Sequence, residues 1–327
     1  MGYRLAVGFI ATIGLATISV SYVVYRRRQK SRGKKLSNNP KWKQVGTVKE
    51  ISMYPLQSGT PLIIPNAKCD SFGISIRGLR DRCLVLLNAQ DEAAFSGTYP
   101  SMLAISTEIE DECSLVVRAP GKEPLSLNLS RIAEGKPIKE KQRNGFTMRL
   151  IECDEIHHEW FSIVILQRTR GLKLFIVLEP NIQPDIWGDD KSDFNPIMVM
   201  NNKSVSDLNQ RLVLTPKVHH LQFRGNLLLE CNDNVKPYDE DNWSWLKIGD
   251  TAKACVLQYR GPCLRCISPN VDIKTCKHSP HFEPLKTLKS YRLVHNSKEP
   301  TMGAYYNINR EGFIKHNDPV YAIVASK

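Results

Sequence analysis

Gly46-Thr47-Val48-Lys49-Glu50-Ile51-Ser52-Met53-Tyr54 partly alternates apolar with polar residues, the two-residue period of a strand that keeps one face in a core. Short apolar stretches of the same kind follow at residues 82–87, 103–107 and 114–118, with turn signals at Ser58-Gly59, Ser96-Gly97 and Pro120-Gly121. No crossover helices separate them, so the spacing predicts a barrel or a meander and not βαβ units. The pattern resumes at 196–200, 221–229, 247–259 and 320–324. Two helices are expected: residues 155–166 are bulky and partly amphipathic, and 204–212 opens on Ser204 with Asp207 three residues on, a box-like cap. The expected class is mainly β with a few helices (α+β).

The chain has 327 residues, of which 42% are hydrophobic and 24% charged, a globular balance that makes two domains the default. A polar, turn-rich stretch at 181–195 sets a boundary near residue 185, which divides the chain into domains at 44–184 and 185–327. Residues 5–25 carry no charge; as a helix rising about 1.5 Å per residue they would span roughly 31 Å, the hydrocarbon core of a bilayer. Residues 1–25 are therefore expected to be a single transmembrane anchor, and the cations that follow the apolar run distinguish it from a cleaved secretory signal. Arg26, Arg27, Arg28, Lys30, Arg32, Lys34 and Lys35 supply much of the +12 formal charge. Such a block resists translocation, so residues 26–43 are expected to be a basic tether on the cytosolic face, with the folded part in the cytosol. A weakly charged N-terminus before a basic flank suits the mitochondrial outer membrane or the endoplasmic reticulum.

Outside that block the charge is mild and no Lys/Arg cluster is interleaved with aromatics, which argues against a nucleic-acid partner. Neither a P-loop nor a G-x-G-x-x-G is present, so nucleotide binding has no support. Nine scattered cysteines do not resemble a disulfide framework and fit a reducing compartment. The adjacent pairs His157-His158 and His219-His220, taken as strand neighbours, would point to opposite faces and not share a metal. The acidic run Asp239-Glu240-Asp241 is expected to be a solvated loop.

The stretch richest in chemistry is Pro262-Cys263-Leu264-Arg265-Cys266-Ile267, followed by Asp272. Four readings compete. The two thiols with a cation between them could be a redox pair, since Arg265 would favour a thiolate. Cys263, Cys266, Cys276, His278 and His281 could close a zinc site, making the protein a zinc-stabilised membrane adaptor. Both thiols could be buried packing residues. Or one thiolate could bind a soft transition metal carried by an organic cofactor, with nearby cations and backbone amides holding the cofactor's phosphate.

This motif, together with Glu283-Pro284-Leu285-x-Thr287-Leu288-x-x-Tyr291-Arg292 and Asp318-Pro319-Val320-Tyr321, resembles the MOSC family, and within it the mitochondrial amidoxime reducing components. The likeness extends upstream through Val45-Gly46-Thr47-Val48, Tyr54-Pro55-Leu56-Gln57-Ser58, Leu79-Arg80-Asp81-Arg82, Asp207-Leu208-Asn209-x-Arg211-Leu212, Phe223-Arg224-Gly225-Asn226 and Trp243-x-x-Leu246-x-Ile248-Gly249-Asp250. It covers essentially the whole chain. The resemblance implies an N-terminal MOSC-type β-barrel domain followed by a MOSC β-barrel domain. It also implies a molybdenum–molybdopterin cofactor whose metal is ligated by Cys266, with Cys263 a structural neighbour. Ser58, Arg82, Arg224 and Asn226 match positions that hold the pterin, and Leu264 and Arg265 sit where the loop wraps it; paired Arg forks suit an anionic group. Asp272 would be a nearby catalytic acid.

Gln57 and Asn195 occupy two further cofactor positions but depart from the family pattern, which has Lys for Gln57 and a Thr-Ser pair for Phe194-Asn195. The family also has an Arg within the segment that here reads Phe95-Ser96-Gly97-Thr98. The implied activity is reduction of N-hydroxylated compounds such as amidoximes and hydroxylamines. Electrons would come from a b-type haem cytochrome and its flavin reductase, because the chain carries no nicotinamide or flavin motif of its own. The alternative is a molybdopterin-binding or sulfur-carrying MOSC protein without turnover. Related modules in cofactor sulfuration work beside a pyridoxal-phosphate lyase domain that has no counterpart in this sequence.

Overall fold

The first strand, β1 (Lys43–Met53), buries Val45, Val48, Ile51 and Met53, so its partial alternation marks a true inner face. The computed structural model describes residues 36–143, 146–178, 197–212, 216–294 and 297–324. The expected anchor, the tether as far as Lys35 and the polar stretch around residue 185 lie outside them. Among the described residues no helix is long and apolar enough to cross a membrane.

After β1 the chain forms β2 (Leu62–Ile64), which pairs with β1, and then three small sheets. β3 (Asn66–Asp70), β4 (Gly73–Ile76) and β5 (Leu79–Arg80) make one of them. β6 (Leu84–Asn88) joins β10 (Ile138–Arg143), β11 (Phe146–Glu152) and β12 (Leu172–Val177) in another. β7 (Ser106–Asp111), β8 (Ser114–Arg118) and β9 (Leu125–Asn128) form the third.

The helix Glu155–Leu166 packs beside β12. His157 Nδ1 accepts the Asp154 N–H (3.1 Å) at its start, and Gln167 ends it in the left-handed conformation. His158 Nδ1 accepts the Leu174 N–H of β12 at 3.0 Å. This histidine pair lies on the helix expected at 155–166, so its two rings are not strand neighbours on opposite faces; both are buried fasteners whose pKa values burial lowers.

The second half supplies β13 (Ile197–Asn201), β14 (Leu227–Cys231), β15 (Trp243–Ile248), β16 (Cys255–Leu264), β17 (Thr301–Arg310), β18 (Gly312–Lys315) and β19 (Pro319–Val324). In the order β14-β13-β17-β16-β15-β19-β1, with β1 returning to β14, seven strands close a barrel; β13 and β14 run parallel and the other neighbours antiparallel. Closure removes the exposed edges of the sheet. Trp243, Tyr259 and Tyr306 are buried, the two tyrosine rings meeting edge to face at 5.5 Å. Gly46 sits where β1 meets β14: a Cβ there would lie 2.1 Å from the Glu230 carbonyl oxygen. The halves of the chain trade strands, since β1 completes the later barrel while β18 pairs with β3.

Several expected strands divide differently. Residues 103–107 straddle a 3-10 turn (Pro100–Ala104) and β7. Residues 221–229 begin as the 3-10 turn His220–Phe223, reverse at Arg224 and only then enter β14, so the pair His219-His220 caps a turn and lies on no strand. Residues 247–259 are two strands joined by a tight connection. The acidic run is not a solvated loop: Glu240 is fully buried and accepts from Ser204 Oγ at 2.8 Å, while Asp241 takes Arg292 Nη2 at 2.5 Å.

Candidate functional site

The turn that leaves β1 carries Tyr54, fully buried, whose N–H donates to Asp81 Oδ1 at 2.7 Å and whose hydroxyl donates to the Gly225 carbonyl at 3.2 Å. Asp81 Oδ2 pairs with Arg82 and accepts Asn226 Nδ2 at 3.0 Å. Asn226 also accepts the Met198 N–H (3.1 Å) and donates to the Ser52 carbonyl (3.3 Å). Asp81 and Asn226 thus latch the β5–β6 corner to β1, β13 and β14.

Two cations converge on Tyr54, with the Arg224 guanidinium 4.1 Å and that of Arg82 5.4 Å from the ring centroid. Both residues, like Ser58, hold left-handed backbone conformations, uncommon for residues with a side chain. Arg224 Nη1 donates to the Gly59 carbonyl at 2.8 Å, next to buried Ser58, whereas its Nη2 is buried without a partner. Burial, then Arg82, pulls Arg224 down to about 10, opposed by Tyr54, Asp81 and Cys266, so it remains a cation at neutral pH. Burial lifts Tyr54 to about 12, which keeps the ring neutral beneath them.

The Cys-x-x-Cys motif lies at the end of β16, and its thiols differ. Cys263 is buried, with Arg265 Nη1 on its sulfur, whereas Cys266 is exposed and its Sγ lies 3.5 Å from Ser268 Oγ. Arg265 runs under the loop: Nη2 donates to the Phe223 carbonyl, Nη1 also reaches Met198 Sδ (3.3 Å), and its buried Nε has no partner. Leu264 is half-buried opposite Thr301 in β17. Among the described residues no three His, Cys, Asp or Glu side chains come together to hold a metal, which leaves the zinc set Cys263, Cys266, Cys276, His278 and His281 unassembled.

A third wall comes from the segment after β6. A Cβ on Gly97 would lie 2.6 Å from Ile267 Cγ2 and 2.6 Å from Phe95 Cε2, so this segment packs directly against the residue that follows Cys266. Asp272 uses Oδ1 within its own loop, accepting the N–H groups of Lys274 (3.0 Å) and Thr275 (2.7 Å) and the Thr275 hydroxyl (3.0 Å). Burial works against its ionisation, but these donors hold its carboxyl below the usual range. Gln57 is half-buried, with its N–H on the Leu84 carbonyl at 2.8 Å. Asn195 and Phe194 lie outside the described residues.

The arrangement suits an anionic group beside an open thiol. Two buried guanidinium nitrogens lack acceptors, and a buried donor without a partner is costly unless a ligand supplies one. Cys266 presents an exposed sulfur, a donor type that suits a soft metal. Residues 45–168 match the family model of the MOSC N-terminal beta barrel domain, and residues 190–321 match that of the MOSC domain.

The chain belongs to the MOSC family.

It is 29% identical to mitochondrial amidoxime-reducing component 1 of Mus musculus over 96% of this chain and 91% of that protein. Identity to mitochondrial amidoxime reducing component 2 of Bos taurus is 29% over 92% of this chain and 88% of that one. For component 1 of Homo sapiens it is 28% over 96% and 92%. Within this MOSC chain, the structure brings Arg82 and Arg224 to the Tyr54 ring and joins Asn226 to Tyr54 through Asp81, with buried Ser58 beside the Gly59 carbonyl that Arg224 holds and with Arg265 buried against Cys263 and bonded to the Phe223 carbonyl. Tyr54 and Asp81, which orient these cations, are not among the candidate residues the sequence suggests. Both carried a signal, Asp81 in the Leu79-Arg80-Asp81-Arg82 motif and Tyr54 in Tyr54-Pro55-Leu56-Gln57-Ser58, but neither motif showed that their side chains meet the cations.

Proposed function

We propose that this MOSC protein is a molybdenum-cofactor reductase of N-hydroxylated compounds, supplied with electrons by a b-type haem cytochrome and its flavin reductase. The carrying observation is the exposed Cys266 thiol within electrostatic reach of half-buried Arg224, whose buried Nη2 has no acceptor. Relatives named amidoxime reducing components support the substrate class. A membrane anchor ahead of the basic tether, holding the folded part at the cytosolic face of the mitochondrial outer membrane, belongs to the same proposal.

In this reading Cys266 offers the sulfur that ligates molybdenum. Arg82, Arg224 and Arg265 neutralise the anionic pterin, with Ser58, Asn226 and the backbone of Leu264 lining it. Gln57 and Asn195 take the remaining cofactor positions, and Asp272 stands on the loop after Cys266. When bound, the group supplies two-electron chemistry at an N–O bond. The balance is a hydroxylamine-type nitrogen plus two electrons and two protons giving the amine-type nitrogen and water. The chain's own part is to hold the cations desolvated, where Coulomb attraction to an anion is strongest. Tyr54 contributes a neutral ring face and not a competing charge.

The test is metal analysis and pterin fluorescence of purified full-length protein, followed by an amidoxime assay with a reconstituted electron chain. Cys266→Ser should lose molybdenum while its far-ultraviolet circular dichroism stays that of the wild type, since the side chain is exposed. Full molybdenum in that variant rules out the ligand assignment. Bound molybdenum and pterin without turnover would instead favour the sulfur-carrying or cofactor-binding alternative.

A further inference from the structure

The three residues Phe95, Gly97 and Ile267 are unexplained by cofactor binding, yet they stand beside Cys266. The space a Gly97 side chain would need is filled by Phe95 and Ile267, which approach its ideal Cβ position to 2.6 Å each. Despite this contact both remain open to solvent, Phe95 at 38% and Ile267 at 42% exposure. Ser96, between Phe95 and Gly97 in the chain, is buried. The backbone at each end is held. The Phe95 carbonyl accepts the N–H groups of Thr98 (3.0 Å) and Tyr99 (2.9 Å), and the Ile267 carbonyl accepts that of Asn270 (2.9 Å). The result is a fixed apolar step next to the only exposed thiol among the described cysteines.

We infer that Phe95 and Ile267 form a specificity wall that selects neutral N-hydroxylated compounds bearing an aromatic or branched alkyl substituent. The apolar substituent rests on the two side chains and the N–OH end faces the Cys266 side. The inference rests on the reductase reading. Apolar contact of this size discriminates because the substituent leaves water only when the wall receives it, and a pre-ordered wall loses little entropy on binding.

The test separates binding from turnover. Full-length, cofactor-loaded protein without any electron donor is titrated calorimetrically with benzamidoxime and with acetamidoxime, which share the N–OH group and differ in substituent. Benzamidoxime should bind about tenfold more tightly. Phe95→Ala and Ile267→Ser should each erase most of that preference; the second variant guards against a folding defect in the first, and thermal melts confirm both are folded. Equal affinities in the wild type, no binding of either compound, or a preference that survives both substitutions overturns the wall. Electrons are then supplied. Preferential binding without reduction would sink the reductase reading and leave the wall standing, whereas reduction of both amidoximes at equal kcat/KM would do the reverse.

Discussion

Replacing Asp81 with alanine removes the junction on which the site's cations depend. Its side chain is 11% exposed and that of Arg82 27%, so the pair is largely withdrawn from water. Without the carboxylate, the N–H of fully buried Tyr54 loses its 2.7 Å acceptor, a loss of about 1–3 kcal/mol. Asn226 Nδ2 keeps only the longer 3.3 Å bond to Ser52, and Arg82 is left without its counter-charge near Arg224. Together these add roughly another 1–2 kcal/mol, for a total of about 2–5 kcal/mol. At about 2–4 °C per kcal/mol, the expected fall in melting temperature is roughly 10 °C. Asp81→Asn retains an acceptor for Tyr54 and should lose about half as much. The assay is thermal unfolding of the full-length protein followed by circular dichroism, with molybdenum measured in parallel. An Asp81→Ala protein that melts within about 2 °C of the wild type and keeps its molybdenum would refute the latch.

Other consequences follow from the same geometry. Gly46→Ala places a methyl group 2.1 Å from the Glu230 carbonyl oxygen, a backbone atom, so β1 must shift off β14. Urea unfolding should show a loss of at least about 2–3 kcal/mol. Arg224→Leu removes a cation that burial disfavours and whose side chain makes one hydrogen bond, to the Gly59 carbonyl, besides its place over the Tyr54 ring. The cofactor-free protein should melt within a few degrees of the wild type while molybdenum content drops by an order of magnitude or more. Burial first, then Asp241, raises Glu240 from 4.5 to about 8 in the fold. Its protonated form therefore contributes stability that is complete below about pH 4.5 and is lost as pH climbs through about 8. Glu240→Gln should be more stable than the wild type at pH 9, with the difference shrinking toward pH 5 in denaturant titrations.

The β character, the helix Glu155–Leu166 and the cysteine motif were all legible in one dimension, because side-chain periodicity and local spacing report which face a residue presents. Local pattern could not show that β1 pairs with β14 and β19, which lie more than 170 residues farther along the chain. Nor could it distinguish Cys263 from Cys266. Two thiols three residues apart look alike until β16 ends between them and Arg265 folds beneath the first. Glu240 looked solvated in its acidic run, yet the turn before β15 delivers it to Ser204 and Tyr306. The chain by itself determined which residue types were available: cations, a soft sulfur, and strands with one apolar face. Tertiary structure decided which of them meet, since barrel closure together with the docking of the β5–β6 corner brings Tyr54, Asp81, Arg224 and Asn226 within reach of one another and buries Arg224 Nη2 and Arg265 Nε.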